Sequence, residues 1–132
     1  MTKAFEKLLR QYEEHCQKVA QSTLIDLNEK PKDKLKRIRK LEQNYVEWFE
    51  YYFPMYAKVP SAWFHKEFAQ LMIHNPIVDI AYEIYRSGGK SVHADMGVPL
   101  FLYFKKDLFF MLCIGQNSLK AKKLISDVQA QL

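Results

Sequence analysis

Apolar residues recur at three- and four-residue steps through the first part of the chain. Phe5, Leu8, Leu9, Tyr12, Cys16, Val19, Ala20, Leu24 and Leu27 form one stripe, which predicts a long amphipathic helix. Asn28-Glu29-Lys30-Pro31 breaks it, because proline lacks an amide donor and disfavours helix in the residue before it. A second stripe, Leu35, Ile38, Leu41, Tyr45, Trp48, Phe49 and Tyr52, ends before Pro54 and predicts a second helix. Two amphipathic helices around a short break imply an antiparallel helical hairpin over residues 1–60.

The texture changes near residue 60. Ser61 is a candidate N-cap for a helix running to about His74, with Phe64, Phe68, Leu71 and Met72 on one face. Asn75-Pro76 stops it. The period then shifts to two: residues 77–85 are rich in β-branched and aromatic side chains, with Val78, Ile80, Tyr82 and Ile84 on one face, and predict a strand. Residues 86–91 form a polar loop, followed by helix to about Lys105, kinked or ended by Pro99. Residues 108–114 are almost wholly apolar, as in a strand covered on both faces. Gly115-Gln116-Asn117-Ser118 turns the chain into a last helix with Ala121, Leu124, Ile125, Val128 and Leu132 as its stripe. Strand, loop, helix, strand, helix is the opening of an α/β unit with a parallel sheet and a right-handed crossover. The expected fold class is therefore α/β: a helical hairpin over 1–60, then an incomplete parallel-sheet core over 61–132.

Composition narrows the classes. The 132 residues are 48% hydrophobic and 27% charged, an ordinary globular balance. The longest stretch without a formal charge, Leu108 to Leu119, is too short to span a bilayer, which takes about 20 residues. Charge mixed into the apolar N-terminal positions argues against a signal peptide. Cys16 and Cys113 stand far apart with no CxxC, so a reduced, intracellular protein without a disulfide framework is expected. The net charge of +5 is uneven: seven of the twenty cations fall between Lys30 and Lys40. A solvated helix face and a contact with nucleic-acid phosphate both fit that run.

The chemistry gathers at Arg86-Ser87-Gly88-Gly89-Lys90-Ser91. Two adjacent glycines between an expected strand and an expected helix, followed by Lys-Ser, suit a phosphate-binding P-loop. Glycines let backbone amides turn inward around a phosphate, and the helix N-terminus completes the nest. Lys90 would meet the β- and γ-phosphates of ATP, and Ser91 would ligate the Mg2+ between them. The standard motif also wants a glycine five residues before Gly89, where Ile84 stands.

The stretch from about Ser61 to Leu132 resembles the start of the ATPase domain of phage terminase large subunits, the motors that package viral DNA. Trp63-Phe64-His65-Lys66-Glu67 is similar to the aromatic-histidine segment ahead of that family's first strand. Residues 86–91 resemble its variant Walker A loop, where an arginine precedes Gly-Lys-Ser/Thr and the early glycine is often absent. Ile114 to Ser118, followed by Ala121, resembles the second strand and its turn into a helix. The resemblance implies ATP and Mg2+ bound through Ser87, Gly88, Gly89, Lys90 and Ser91, and Arg86 acting on the γ-phosphate. It also implies that Trp63 to His65 lie near the adenine, although packing of Trp63 and Phe64 against the sheet would explain them equally. Double-stranded DNA, a portal protein, a small terminase subunit and further copies of the chain are the partners it implies, in the cytoplasm of a host cell.

No apolar run ending in Asp-Glu follows Lys90, so the acid that would activate water is missing from the pattern, as is a nuclease domain. The expectation is a phosphate loop without the full reaction, as in the N-terminal part of a longer protein. Another P-loop ATPase or helicase-like chain, or a helical adaptor whose Gly-Gly-Lys-Ser is a plain turn, are the other readings. His15, His65, His74 and His93 lack zinc spacing, and Asp79 with Glu83 suits an edge or wet strand face better than a catalytic pair.

Overall fold

The computed structural model describes residues 3–26, 28–108 and 110–132. Its described residues form six α-helices and one π-helical turn, with no strand. The chain divides into two compact units, Met1–Thr23 with Leu112–Leu132, and Leu24–Met111.

In the first unit, α1 covers Lys3–Ser22, and α6 is taken here as Ser118–Gln129 in chain order. Asn117 caps α6 by accepting the Lys120 amide at 3.0 Å. Asp127 of α6 lies 4.0 Å from His15 of α1 and 3.5 Å from Lys123. The first apolar stripe stops short of its expected end, since α1 closes at Ser22 and Leu24 is exposed; Leu27 falls outside the described residues.

The second unit holds α2 (Pro31–Leu41), α3 (Tyr45–Tyr52), α4 (Trp63–His74), a π-turn (Val92–Gly97) and α5 (Val98–Phe104). The second stripe is thus two helices rather than one. Asn44 divides it, its side chain accepting the amides of Val46 and Glu47 while its own amide group donates to Glu47. Asn-x-x-Glu is a helix-start signature lying inside the stripe. Of the elements expected within 1–60, α1 belongs to the first unit, and α2 and α3 to the second. Arg37 anchors α2 within its unit. Its guanidinium donates to both Glu29 carboxylate oxygens, 2.7 Å at the closest, and to the Tyr52 hydroxyl at 2.7 Å, with Tyr51 beneath it. That guanidinium holds the Glu29 carboxyl below its usual range.

The core is aromatic. Trp48, Phe49 and Phe53 of the α3 region meet Phe68 and Ala69 of α4, and Met96, Val98, Leu100 and Phe101 of the last helical run, all buried. Phe101 stands edge-on to Tyr45 and Trp48, at 5.5 and 5.2 Å between ring centres, a favoured aromatic arrangement. Pro99 neither ends nor interrupts the helical run. The Val98 amide reaches back five residues to the His93 carbonyl, and the π-turn absorbs the register just before the missing proline amide.

The parallel-sheet α/β expectation is overturned, because neither apolar run pairs. Val78, expected on the same face as Ile80, is exposed, as are Ile77 and Asp79. Residues 80–85 keep the alternation of a strand, with Ile80, Tyr82 and Ile84 half-buried and Ala81, Glu83 and Tyr85 exposed. They lean on α4, with Tyr82 stacked on Phe68 at 4.3 Å and its hydroxyl donating to the Phe64 carbonyl. A period of two marks a segment with one sheltered face; the ladder also needs a neighbour offering amides and carbonyls. In residues 108–114, Phe110, Leu112 and Ile114 are exposed rather than covered on two faces, and Phe109 lies outside the described residues.

Gly97 is the tightest point of the core. A Cβ there would sit 2.5 Å from the Tyr45 hydroxyl and 3.0 Å from the Phe49 ring. Gly97→Ala is expected to lower stability by about 1–3 kcal/mol through overpacking, read as a lower urea midpoint with an unchanged slope.

Candidate functional site

The half-buried residues Ile80, Tyr82 and Ile84 bring the chain along α4 to the glycine loop. The Tyr85 carbonyl accepts the Gly88 amide at 3.1 Å, closing a turn over Arg86 and Ser87. Ser87 (φ 67°) and Gly89 (φ 75°) are both left-handed, with buried Gly88 between them. Glycine takes that conformation without strain, whereas serine holds it at some cost. The Gly89 carbonyl then accepts the His93 amide at 3.1 Å, so the helical run starts at Lys90 and passes through the π-turn into α5. The amides of Lys90, Ser91 and Val92 occupy its first turn, where no intrahelical carbonyl precedes them. The Gly89 amide has no hydrogen bond among the described residues.

The residues singled out from sequence are thus brought together. Arg86, Ser87, Lys90 and Ser91 are exposed around the loop, Gly88 is buried and Gly89 half-buried. The side chains of Arg86, Lys90 and Ser91 make no hydrogen bond or ion pair among the described residues, which leaves two cations and a hydroxyl open to an anion. No group of three or more His, Cys, Asp and Glu gathers among the described residues. Mg2+ is commonly held by one or two carboxylates beside phosphate oxygens and water, and residues 86–91 themselves offer only the Ser87 and Ser91 hydroxyls.

Trp63 is exposed, so packing against a sheet does not account for it. It borders a groove of about 590 Å³ between α4 and residues 80–85, with Phe64, Phe68 and Tyr82 along its walls. Asp79 and Glu83 are exposed. The basic segment is also resolved into roles. Arg37 is occupied by Glu29 and Tyr52, and Lys40 lies 3.7 Å from Glu47. Lys32, Lys36 and Arg39 are exposed at helical spacing along one face of α2.

Sequence reasoning missed two histidines that hold the loop from behind. His65, in the first turn of α4, accepts the Ala62 amide on Nδ1 at 3.1 Å. This reach-back caps the helix at Ala62 in place of Ser61, whose amide instead donates to the Glu50 carboxylate. An Nδ1 that accepts leaves the proton on Nε2, which donates to the Gly88 carbonyl at 2.6 Å. The His65 ring stacks on His93 at 4.0 Å, and His93 Nδ1 is hydrogen-bonded to the Tyr45 hydroxyl at 2.7 Å. The only sequence signal was the third-residue position of His65 in its helix. Nothing in the spacing of 65 and 93 announces the stack.

Burial, reinforced by the neighbouring His65, pushes His93 down to about 4, and burial raises the Tyr45 phenol, so both stay neutral at pH 7. The unfolded chain takes up this proton near pH 6.5, whereas the folded chain resists it to about pH 4. The associated stability is complete above pH 6.5 and is lost as pH falls through that window, by at most about 3 kcal/mol. Urea midpoints between pH 7 and 4 are expected to fall less steeply in His93→Gln than in the parent.

Compared with family models, curated proteins and solved structures, the chain matches none.

Proposed function

We propose that residues 86–91 are the phosphate loop of an ATP-dependent DNA-packaging motor of the terminase large-subunit kind, and that this chain's share of the work is holding Mg-ATP. The supporting observation is the backbone path: left-handed Ser87 and Gly89 turn the chain directly into a helix whose first amides are free. Oriented amides at a helix N-terminus attract phosphate whatever scaffold stands behind them, so this reading rests on loop and helix and takes no sheet. Lys90 supplies charge to the β- and γ-phosphates, Ser91 a hydroxyl to magnesium, and Arg86 a guanidinium to the γ-phosphate. The groove beside Trp63 and Phe64 is the place for the base. Double-stranded DNA, portal and small-subunit partners come with the resemblance alone. The helical adaptor is the second reading, favoured by the lack of any strand among the described residues.

Calorimetry separates the two. Lys90→Ala is expected to weaken Mg-ATP binding about tenfold or more, and Lys66→Ala to leave it unchanged. Ser91→Ala should weaken it only while magnesium is present. No heat from the parent, or equal affinity for Lys90→Ala, makes the loop a turn and the adaptor the better reading.

DNA contact, on the same reading, falls to the free face of α2. Replacing Lys32, Lys36 and Arg39 by Gln is expected to weaken binding to duplex DNA and flatten its salt dependence. Arg37→Gln should instead lower thermal stability, because it releases Glu29 and Tyr52. Unchanged affinity and salt slope in the triple variant would return α2 to a solvated face.

A further inference from the structure

We infer that His65 is the positioning residue of the glycine loop: its Nε2–H holds the Gly88 carbonyl and so turns the Gly89 amide away from α4, toward the side open to an anion. The inference rests on the phosphate-loop reading for its ligand and on the geometry of one peptide plane for its substance. In a trans peptide the carbonyl of one residue and the amide of the next point in opposite directions. None of the peptide bonds here is cis. Drawing the Gly88 oxygen to within 2.6 Å of His65 therefore sets the direction of the Gly89 N–H.

Three further contacts keep the ring from turning. Nδ1 is fixed by the Ala62 amide, one face lies on His93 at 4.0 Å, and Phe64 stands edge-on to the ring at 4.4 Å. His93 is in turn tied to the helical run itself, since its amide bonds the Gly89 carbonyl and its ring meets Tyr45 and Phe49. The two histidines thus clasp both carbonyls of the Gly88-Gly89 pair, leaving the intervening amide outward. A Cβ on Gly89 would sit 3.2 Å from His65 Nε2, a tight contact, and the left-handed φ of 75° there favours glycine as well.

Two substitutions divide the ring's two jobs. In His65→Gln the amide nitrogen takes the place of Nε2 and keeps the donor to Gly88. In His65→Asn the shorter amide keeps an acceptor at the place of Nδ1, for the Ala62 amide, and loses the donor. The full chain is used, with two readouts: nitrogen-15 amide shifts of residues 88–92 without ligand, and calorimetric affinity for Mg-ATP.

The expected result is that His65→Asn stays folded with a lowered thermal midpoint, moves the amide shifts of residues 88–92, and binds Mg-ATP about tenfold or more weakly. His65→Gln restores both readouts toward the parent. Amide shifts that are the same in parent and His65→Asn overturn the inference, as does a His65→Gln that behaves like His65→Asn. A parent that gives no heat with Mg-ATP overturns the phosphate-loop reading, and the amide shifts of the same variants still decide for or against His65.

Discussion

The burial of one short helical run, from His93 to Phe101, is what the second unit is built around. Met96, Gly97, Val98, Pro99, Leu100 and Phe101 are consecutive and all buried, so this run is sheltered on every side rather than along a stripe. A helix enclosed this way cannot rotate without moving Trp48, Phe49 and Phe68 together. Its N-terminal end at Lys90 emerges from the same packing, and the exposed loop inherits a fixed direction from a dry core. The glycine at position 97 lets the Tyr45 and Phe49 side chains approach the helix backbone, and the hydroxyl of Tyr45 there reaches His93. Core packing and loop position are in this sense one arrangement.

The local signals in the sequence that name a physical cause were legible. Pro31 opens α2, Asn75-Pro76 closes α4, and the Gly-Gly-Lys-Ser segment does lie between a non-helical approach and a helix start. The alternation at Val78, Ile80, Tyr82 and Ile84 marks one sheltered face only from Ile80 onward, and it does not make a strand. Periodicity reports which side of a segment is dry and says nothing of whether a second segment lies beside it. Here α4 provides the dry side, with aromatic stacking in place of a ladder. The second apolar run failed for the converse reason: an unbroken apolar stretch looks the same in sequence whether it is covered or left bare, as Phe110, Leu112 and Ile114 are.

The histidines show a different limit. Spacing along the chain, which speaks only to metal ligation, carries no information on what His65 and His93 do. Their roles come from ring nitrogens that each meet one backbone or hydroxyl partner, and from a stack between residues far apart in the chain. Two stacked imidazoles at this distance cannot both carry charge cheaply in a buried place, which is consistent with His93 being held neutral. A neutral His93 adds no positive charge beneath the loop. The cations of the loop, Arg86 and Lys90, lie on its exposed side.

On the proposed reading, that separation bears on how a phosphate loop is held without a sheet. Anion binding requires amides that point the same way and stay there when the anion leaves. In a parallel-sheet protein the strand before the loop supplies that rigidity through its ladder. In this chain the strand-like approach has no ladder, so the constraint comes from contacts with α4 and with the helical run that follows. Tyr82 anchors the approach to α4, His65 holds the Gly88 carbonyl, and His93 donates its amide to the Gly89 carbonyl. Each of these contacts acts on the backbone from the buried side, which leaves the exposed side of the loop to its amides, Lys90 and Ser91. The loop's geometry therefore depends on α4 as much as on its own glycines, and a change in how α4 packs on Phe101 and Met96 would reach the loop through His65 before it reached Lys90.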